Sequence, residues 1–497
     1  MTGIHNVHNG PGTQNNYNGS GQNINYGGDQ NILNGAGSII TGQLNQLNVG
    51  GNFVQSLDKG MSGYDSLTLR IAGVGGSHKA EHQFTRGACL EGTRTRALGE
   101  IDGWVNGKDS PICWVSAAAG VGKSAIALSV ARVFEKCGRL VSSFFFFRFD
   151  SKRNNSSALA LSIAYGLGAA APSLRTLIDQ RITKDPIILD GTLEDQFEEL
   201  VFKPSLVGLQ AHGPDVIIID GLDECGDEEA QLRILHIIAS YIQAACPLLR
   251  FLILSRPESW IRAEFDDDPL CRFTKFIALD SDLYTPMKDV ELYLRHEFKR
   301  IVSSRRYSAL RFPYPWPSEK DLRWLLSKSS GQFIYVKTVV IFVDAGYCHP
   351  AEQLRAIISY TPDFQPSRPT TSPYGALDDL YSAILRVAHH DFDEIRPILA
   401  ALIIIPRQTS YATLSSRSLD IFFGLEEGTV TLKLRAMHAV LNIAGPDVSI
   451  RPYHLSFMEY LVDKARAGEF HIDRYKEHSV LARTWLQALS ADSAPWV

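Results

Sequence analysis

The sequence predicts an α/β fold, a parallel sheet with helices on both faces, followed by a helical region. Three observations carry this. Ile112–Val115, Val216–Ile219 and Phe251–Leu254 are unbroken apolar runs of strand length, the composition of strands buried on both faces. They alternate with amphipathic stretches at Ala125–Phe134, Leu159–Gly168 and Ala230–Ala245, as βα units of a parallel sheet do. Each run also ends in residues suited to chemistry, and the C-terminal ends of strands face the ligand crevice of an open sheet.

Between the first run and its helix lies Ala117-Ala118-Ala119-Gly120-Val121-Gly122-Lys123-Ser124, with Ala125 opening the helix. This reads as a phosphate-binding loop. Gly120 and Gly122 let backbone N–H groups close on phosphate oxygens, Lys123 reaches the β and γ phosphates, and Ser124 offers its hydroxyl to Mg²⁺. The N-terminus of the helix adds a favourable field for the anion. Ala117 stands where the pattern usually has its first glycine, a departure that concerns loop geometry more than binding.

The second run ends in Asp220-Gly221-Leu222-Asp223-Glu224. Asp220 is placed to hold Mg²⁺ through water, while Asp223 or Glu224 orients the attacking water. The third ends in Ser255-Arg256-Pro257; lying beside the Asp220 strand, it would bring Arg256 near a γ phosphate, where a planar cation senses whether that group is present. A solvated acidic turn and a strand-capping arginine are the plainer readings. Order and spacing together favour the site.

At these residues the chain resembles the NACHT domain of signal-transduction NTPases with numerous domains, in the nephrocystin-like form abundant in fungal chains. Ala117–Ser124, Val216–Glu224 and Leu252–Pro257 carry the resemblance, joined by Cys89-Leu90-Glu91-Gly92-Thr93-Arg94, Phe144–Arg148, Asp289–Phe298 and Ser330–Tyr335. Tyr374–Leu385 and His454–Leu461 are similar to its C-terminal part, so the likeness spans about residues 85–490. It implies an ATP/ADP-binding switch with GTP not excluded, and nucleotide contacts from Thr93 and Arg94. A histidine in a winged helix packs against the β phosphate in related switch ATPases. His454, followed by Ser456, Phe457 and Leu461, is similar to that element; the plainer reading is a structural histidine beside an apolar helix. His438 is the weaker candidate, its flank reading as helix interior.

Past the sheet the pattern turns helical, at Asp289–Ile301, Glu319–Lys328, Phe333–Val343 and Ala351–Ile358. After a Pro- and Thr-rich stretch come helices at Leu377–Val387, Ile395–Ile405, Val430–Ala444 and Leu455–Val462, with Val448 and Ile450 suggesting the small strand of a winged helix. The expected organisation is a repeat segment at 1–55, a linker at 56–84, the nucleotide-binding domain at 85–270, a helical domain at 271–361, a linker at 362–375 and a winged-helix-like domain at 376–490.

The N-terminus is of another kind. Asn and Gly dominate, no Lys or Arg occurs before Lys59, and Gln-Asn recurs at Gln14, Gln22 and Gln30, a spacing of eight. Short strands with Gly turns at this period fit a β-solenoid rung or a cross-β fibril with Asn/Gln ladders. So little apolar surface cannot build a compact domain, so disorder is expected in the monomer. A flexible linker is the plainer reading, against which stand the regular spacing and the interleaved Ile, Leu and Tyr. The segment also resembles the Asn/Gly-rich amyloid signalling motifs of some fungal NACHT proteins, which implies a homotypic amyloid-type partner through residues 1–55.

Over 497 residues the net charge is −5 with basic residues scattered, which gives no electrostatic footprint for nucleic acid. The sequence has no membrane segment and no signal peptide, so a cytoplasmic location is expected. Seven cysteines without a C-x-x-C pair indicate neither disulfides nor a zinc site; Cys225, beside Glu224, reads as a buried thiol rather than a nucleophile. The expected function is a switch that hydrolyses ATP slowly and forms a homo-oligomer on activation. The alternative is a non-catalytic nucleotide-binding scaffold whose N-terminus carries the function.

Overall fold

The computed structural model describes residues 61–80, 87–107, 110–148, 150–209, 215–244, 248–279, 286–361, 375–388, 392–405 and 414–490, with the strand backbone of 17–18, 21–26 and 29–34. Those N-terminal strands, β1 (Tyr17–Asn18), β2 (Gly21–Tyr26) and β3 (Asp29–Asn34), pair antiparallel in that order. Antiparallel register sets Asn23 against Ile32 and Ile24 against Asn31, so successive Gln-Asn copies do not stack on one another within one chain. The rest of the repeat segment lies outside the described residues.

A parallel sheet forms the centre of the molecule. Its strands are β4 (Ile112–Ser116), β5 (Leu140–Phe145), β6 (Val216–Asp220), β7 (Arg250–Ser255) and β8 (Thr274–Ala278), in the order β5-β6-β7-β4-β8. β7 lies beside β6, as the third apolar run requires. Residues alternate between faces: Ile217, Ile219, Phe251 and Ile253 enter one apolar cluster, Val216, Ile218, Leu252 and Leu254 the other. Burial on both faces is why these strands read as continuous apolar runs. The fifth strand falls beyond the boundary expected at residue 270. With Lys275 in it and Phe276 half exposed, this edge strand lacks the apolar run that marks the others.

Three further expectations need correction. The stretch taken as linker contains a helix, Gly63–Ile71, started by a Ser62/Asp65 capping box. Tyr64 and Leu67 are buried in the core, and the Tyr64 hydroxyl donates to the Tyr165 carbonyl at 2.7 Å. Burying two such side chains contributes roughly 3–6 kcal/mol, which a free linker would forgo. Between β5 and β6 the single expected helix, here Ser156–Ala170, is followed by Pro172–Lys184 and a helical run from Leu193 to Gly208, all packed on one sheet face. Finally, Val430–Ala444 is not one helix: Thr429–Leu434 ends in a 3₁₀ turn, and Leu441–Asn442 (β9) pairs antiparallel with Arg451–Pro452 (β10).

Helices Pro286–Val302, Glu319–Ser329, Phe333–Val343 and Pro350–Tyr360 share one apolar core with Gly375–Ala388, Arg396–Ile404 and Leu455–Val462. This helical body covers the C-terminal ends of the sheet strands. Among the described residues, no helix is long and apolar enough to cross a membrane.

Candidate functional site

The loop after β4 turns twice through left-handed backbone, at Gly120 (φ 80°) and Gly122 (φ 108°), before the Lys123–Lys136 helix begins. Residues with a Cβ rarely adopt these angles. Gly122 caps the helix without a side-chain bond, which leaves its first turn facing the cleft. The Lys123 ammonium is folded onto the loop, donating to the carbonyls of Ala117 at 2.6 Å and Ala118 at 2.9 Å.

The loop tip is held from outside. Gly120 accepts the Ile334 amide at 3.1 Å, and a Cβ on Gly120 would lie 2.1 Å from Ile334 Cγ2. Arg94, buried and itself left-handed (φ 56°), donates to the Val121 carbonyl and stacks 4.7 Å over the Phe333 ring. Its own amide donates to Asp289 at 2.8 Å. Arg94 thus ties the loop to two helices of the helical body. Thr93 closes a tight turn onto the Leu90 carbonyl at 2.6 Å.

At the end of β6, Gly221 (φ 74°) redirects the chain into the Leu222–Glu224 turn. The two carboxylates left open by the sequence separate here. Asp223 is 2 % exposed and committed: its Oδ1 accepts the Arg256 amide at 3.0 Å and its Oδ2 pairs with Arg256 Nε at 3.2 Å. Glu224 lines the cleft and accepts the Arg148 amide at 3.2 Å. Burial disfavours the Arg256 charge, but the carboxylates of Glu459, Asp223 and Glu224 outweigh it and hold its pKa above the ordinary value. Burial pushes the Cys225 thiol up to about 12, so it stays protonated at neutral pH and is no nucleophile.

The far wall joins Arg256 to the helix that follows His454, a contact the sequence did not foresee. Arg256 Nη1 donates to Glu459 Oε1 at 3.0 Å, across 203 residues of chain. Glu459 lies on the Leu455–Val462 helix, which His454 caps by accepting the Ser456 amide on Nδ1 at 3.1 Å. That bond places the proton of the neutral ring on Nε2. A second tie joins Arg451 to Asp150 at 3.3 Å. Burial opposes the Asp150 charge, but Arg153 and Arg451 hold its pKa below the usual carboxylate range. His438 stands elsewhere, bonded to the Ile341 carbonyl at 3.1 Å, its pKa lowered by burial.

These elements enclose a cleft of about 650 Å³. Thr93, Arg94, Ala119, Gly120, Gly122, Lys123, Ser124, Ala125, Asp220, Asp223, Glu224, Arg256 and His454 all line it. Ala117, Ala118 and Val121 do not; they face the fold, with Ala117 fully buried. Lys337, on the Phe333–Val343 helix, adds a cation that only its place in the fold reveals. Ser124 and the buried Asp220 offer the hard oxygen donors that suit Mg²⁺. No cluster of three or more His, Cys, Asp or Glu suited to a metal occurs among the described residues, so phosphate oxygens and water would complete such a shell.

Residues 95–256 match the family model described as Nephrocystin 3, N-terminal. No curated protein matches the chain significantly. Similar solved structures include Cdc6p from Pyrobaculum aerophilum, at 10% identity over 80% of this chain and 96% of that one, with a TM-score of 0.30. Drosophila ORC bound to DNA gives 11% over 69% and 79%, with 0.30, and Pif1 helicase from Candida albicans 15% over 45% and 49%, with 0.20. None of these scores reaches the level at which a common fold is argued.

Proposed function

We propose that this chain, a NACHT-like P-loop NTPase whose residues 95–256 match the nephrocystin 3 N-terminal domain, is a nucleotide-dependent signalling switch of the NLR-like kind. The single observation that supports this most is the composition of the cleft: phosphate loop, acidic strand end, Arg256 and His454 line one cavity, closed by a helix from the C-terminal part of the chain. In this reading ADP holds the closed arrangement, while ATP opens it and favours homo-oligomers in the cytoplasm. GTP is the alternative nucleotide. Oligomers would cluster the N-terminal segments and raise their local concentration enough to nucleate homotypic stacking. Residues 376–490 would act as the winged-helix-like unit of the switch.

On binding, the Lys123 ammonium exchanges the Ala117 and Ala118 carbonyls for phosphate oxygens, assisted by the amides of the loop and the helix N-terminus. Ser124 and Asp220 would hold Mg²⁺, which neutralises charge on the phosphates. Glu224 orients a water for attack on the γ phosphorus. Asp223 positions Arg256 rather than touching the water, because both its oxygens are engaged by that residue. His454, with its proton on Nε2, donates to a β-phosphate oxygen. Moving the switch from mostly closed to mostly open takes about 5.5 kcal/mol of differential binding.

Glu224→Gln tests the chemical part. The variant keeps the shape but loses the charge that orients water, so ATP affinity should stay within about twofold while phosphate release slows at least about tenfold. ATP-bound assemblies should then persist longer in size-exclusion profiles. Hydrolysis at the wild-type rate would assign the water-orienting role to another group, and normal signalling by a variant that no longer hydrolyses ATP would favour a non-catalytic scaffold.

A further inference from the structure

Two ties cross from the C-terminal part of the chain to the rim of the cleft, and they differ in kind. Arg451 pairs with Asp150 after β5, where Asp150 is shared with Arg153 at 2.9 Å, and neither Arg451 nor Asp150 lines the cleft. Arg256–Glu459 lies inside, lining the cleft on the arginine side, with Arg256 14 % and Glu459 27 % exposed. The Leu455–Val462 helix is otherwise held by its own body. Phe457, Met458, Tyr460 and Leu461 enter the helical core, the Tyr381 and Ser456 hydroxyls bond at 2.8 Å, and those of Ser382 and Tyr460 at 2.7 Å. Glu459 points the other way, to Arg256, so this contact can break without unfolding the helix that carries it.

Arg256 itself has two carboxylate partners of unequal standing. Asp223 is nearly buried, sits on the turn next to it in the same sheet, and takes both its amide and its Nε. Glu459 takes one Nη1 and arrives from a separate body. A planar guanidinium pairs with carboxylate or phosphate through the same fork of donors, and a terminal phosphate carries more negative charge than a carboxylate. We propose that Glu459 is an intramolecular stand-in for the terminal phosphate: it occupies Arg256 in the closed chain and is displaced when a nucleoside triphosphate, but not a diphosphate, enters the cleft. ADP leaves Arg256–Glu459 intact, whereas ATP transfers Arg256 from the helix to its γ phosphate and frees the helix. The inference rests on the switch reading above and specifies the contact on which that switch turns.

The test uses the full chain, titrated with ADP and with a non-hydrolysable β,γ-imido ATP analogue. Glu459→Gln should raise affinity for the analogue about tenfold while changing ADP affinity less than twofold. The same substitution made in Arg256→Ala should leave the ratio of the two affinities unmoved. Glu459→Asp, which keeps the charge but withdraws it by one methylene, should shift the ratio in the same direction if Glu459→Gln fails to fold. Arg451→Gln, which loosens the tie to Asp150, should act equally with or without Arg256. An unmoved ratio in Glu459→Gln, or an equal shift in both backgrounds, overturns the inference while leaving the switch reading in place. A wild-type chain that binds neither nucleotide overturns both.

Discussion

Lys123→Ala will lose tight Mg-nucleotide binding, with affinity falling by about 10²- to 10⁴-fold in calorimetric titration. The estimate comes from two charge-assisted hydrogen bonds to phosphate oxygens at roughly 1.5–3 kcal/mol each. Lys123 has a second duty that makes the control necessary. Its ammonium ties the Ala117 and Ala118 carbonyls together, so the variant also loosens the loop. Because Arg94 and Ile334 hold the loop tip independently, the folded chain should survive and a thermal melt should show it. Unchanged affinity in a folded variant would contradict the assignment of the loop.

The other large effect concerns the N-terminus. A peptide of residues 1–56 is expected to form ordered fibrils after a lag that preformed seeds shorten, because near absence of charge and regular Gln-Asn spacing favour stacking while glycine entropy opposes nucleation. Among the described residues, β3 pairs on one side with β2 and has no partner on its other side, an edge a second copy could extend. Replacing Ile24, Ile32 and Leu44 by Lys should block assembly, since like charges would repeat at each layer of about 4.8 Å. Fibre diffraction decides: no meridional reflection near that spacing, or equal aggregation of the Lys variant, would leave the segment an ordinary tail.

The parts of the site legible in the sequence are those where chemistry and chain order coincide. Gly120 to Ser124, Asp220 to Glu224 and Arg256 each follow an apolar run, and two-face burial makes such runs conspicuous. What escaped reading was set by tertiary contact. The Gly63–Ile71 helix looks like a Gly- and Ser-bearing linker because, of its four buried residues, only Tyr64 and Leu67 carry large apolar side chains, the others being Gly63 and Ser66. Val430–Ala444 carries apolar residues at helical spacing, yet β9 recruits its last part by pairing with β10. The choice between Asp223 and Glu224 needed coordinates, since adjacent residues of like charge differ only in where Arg256 stands. Glu459 lies within the His454–Leu461 stretch, but nothing in the sequence pairs it with Arg256, 203 residues away, until the fold brings them to 3.0 Å.

The central claim is that the resting chain is closed around a nucleotide. Protein purified without added nucleotide, denatured, and its released small molecules resolved by ion-exchange chromatography tests this most directly. Near-stoichiometric ADP is the expected result; a folded, full-length preparation that releases no nucleotide would contradict it.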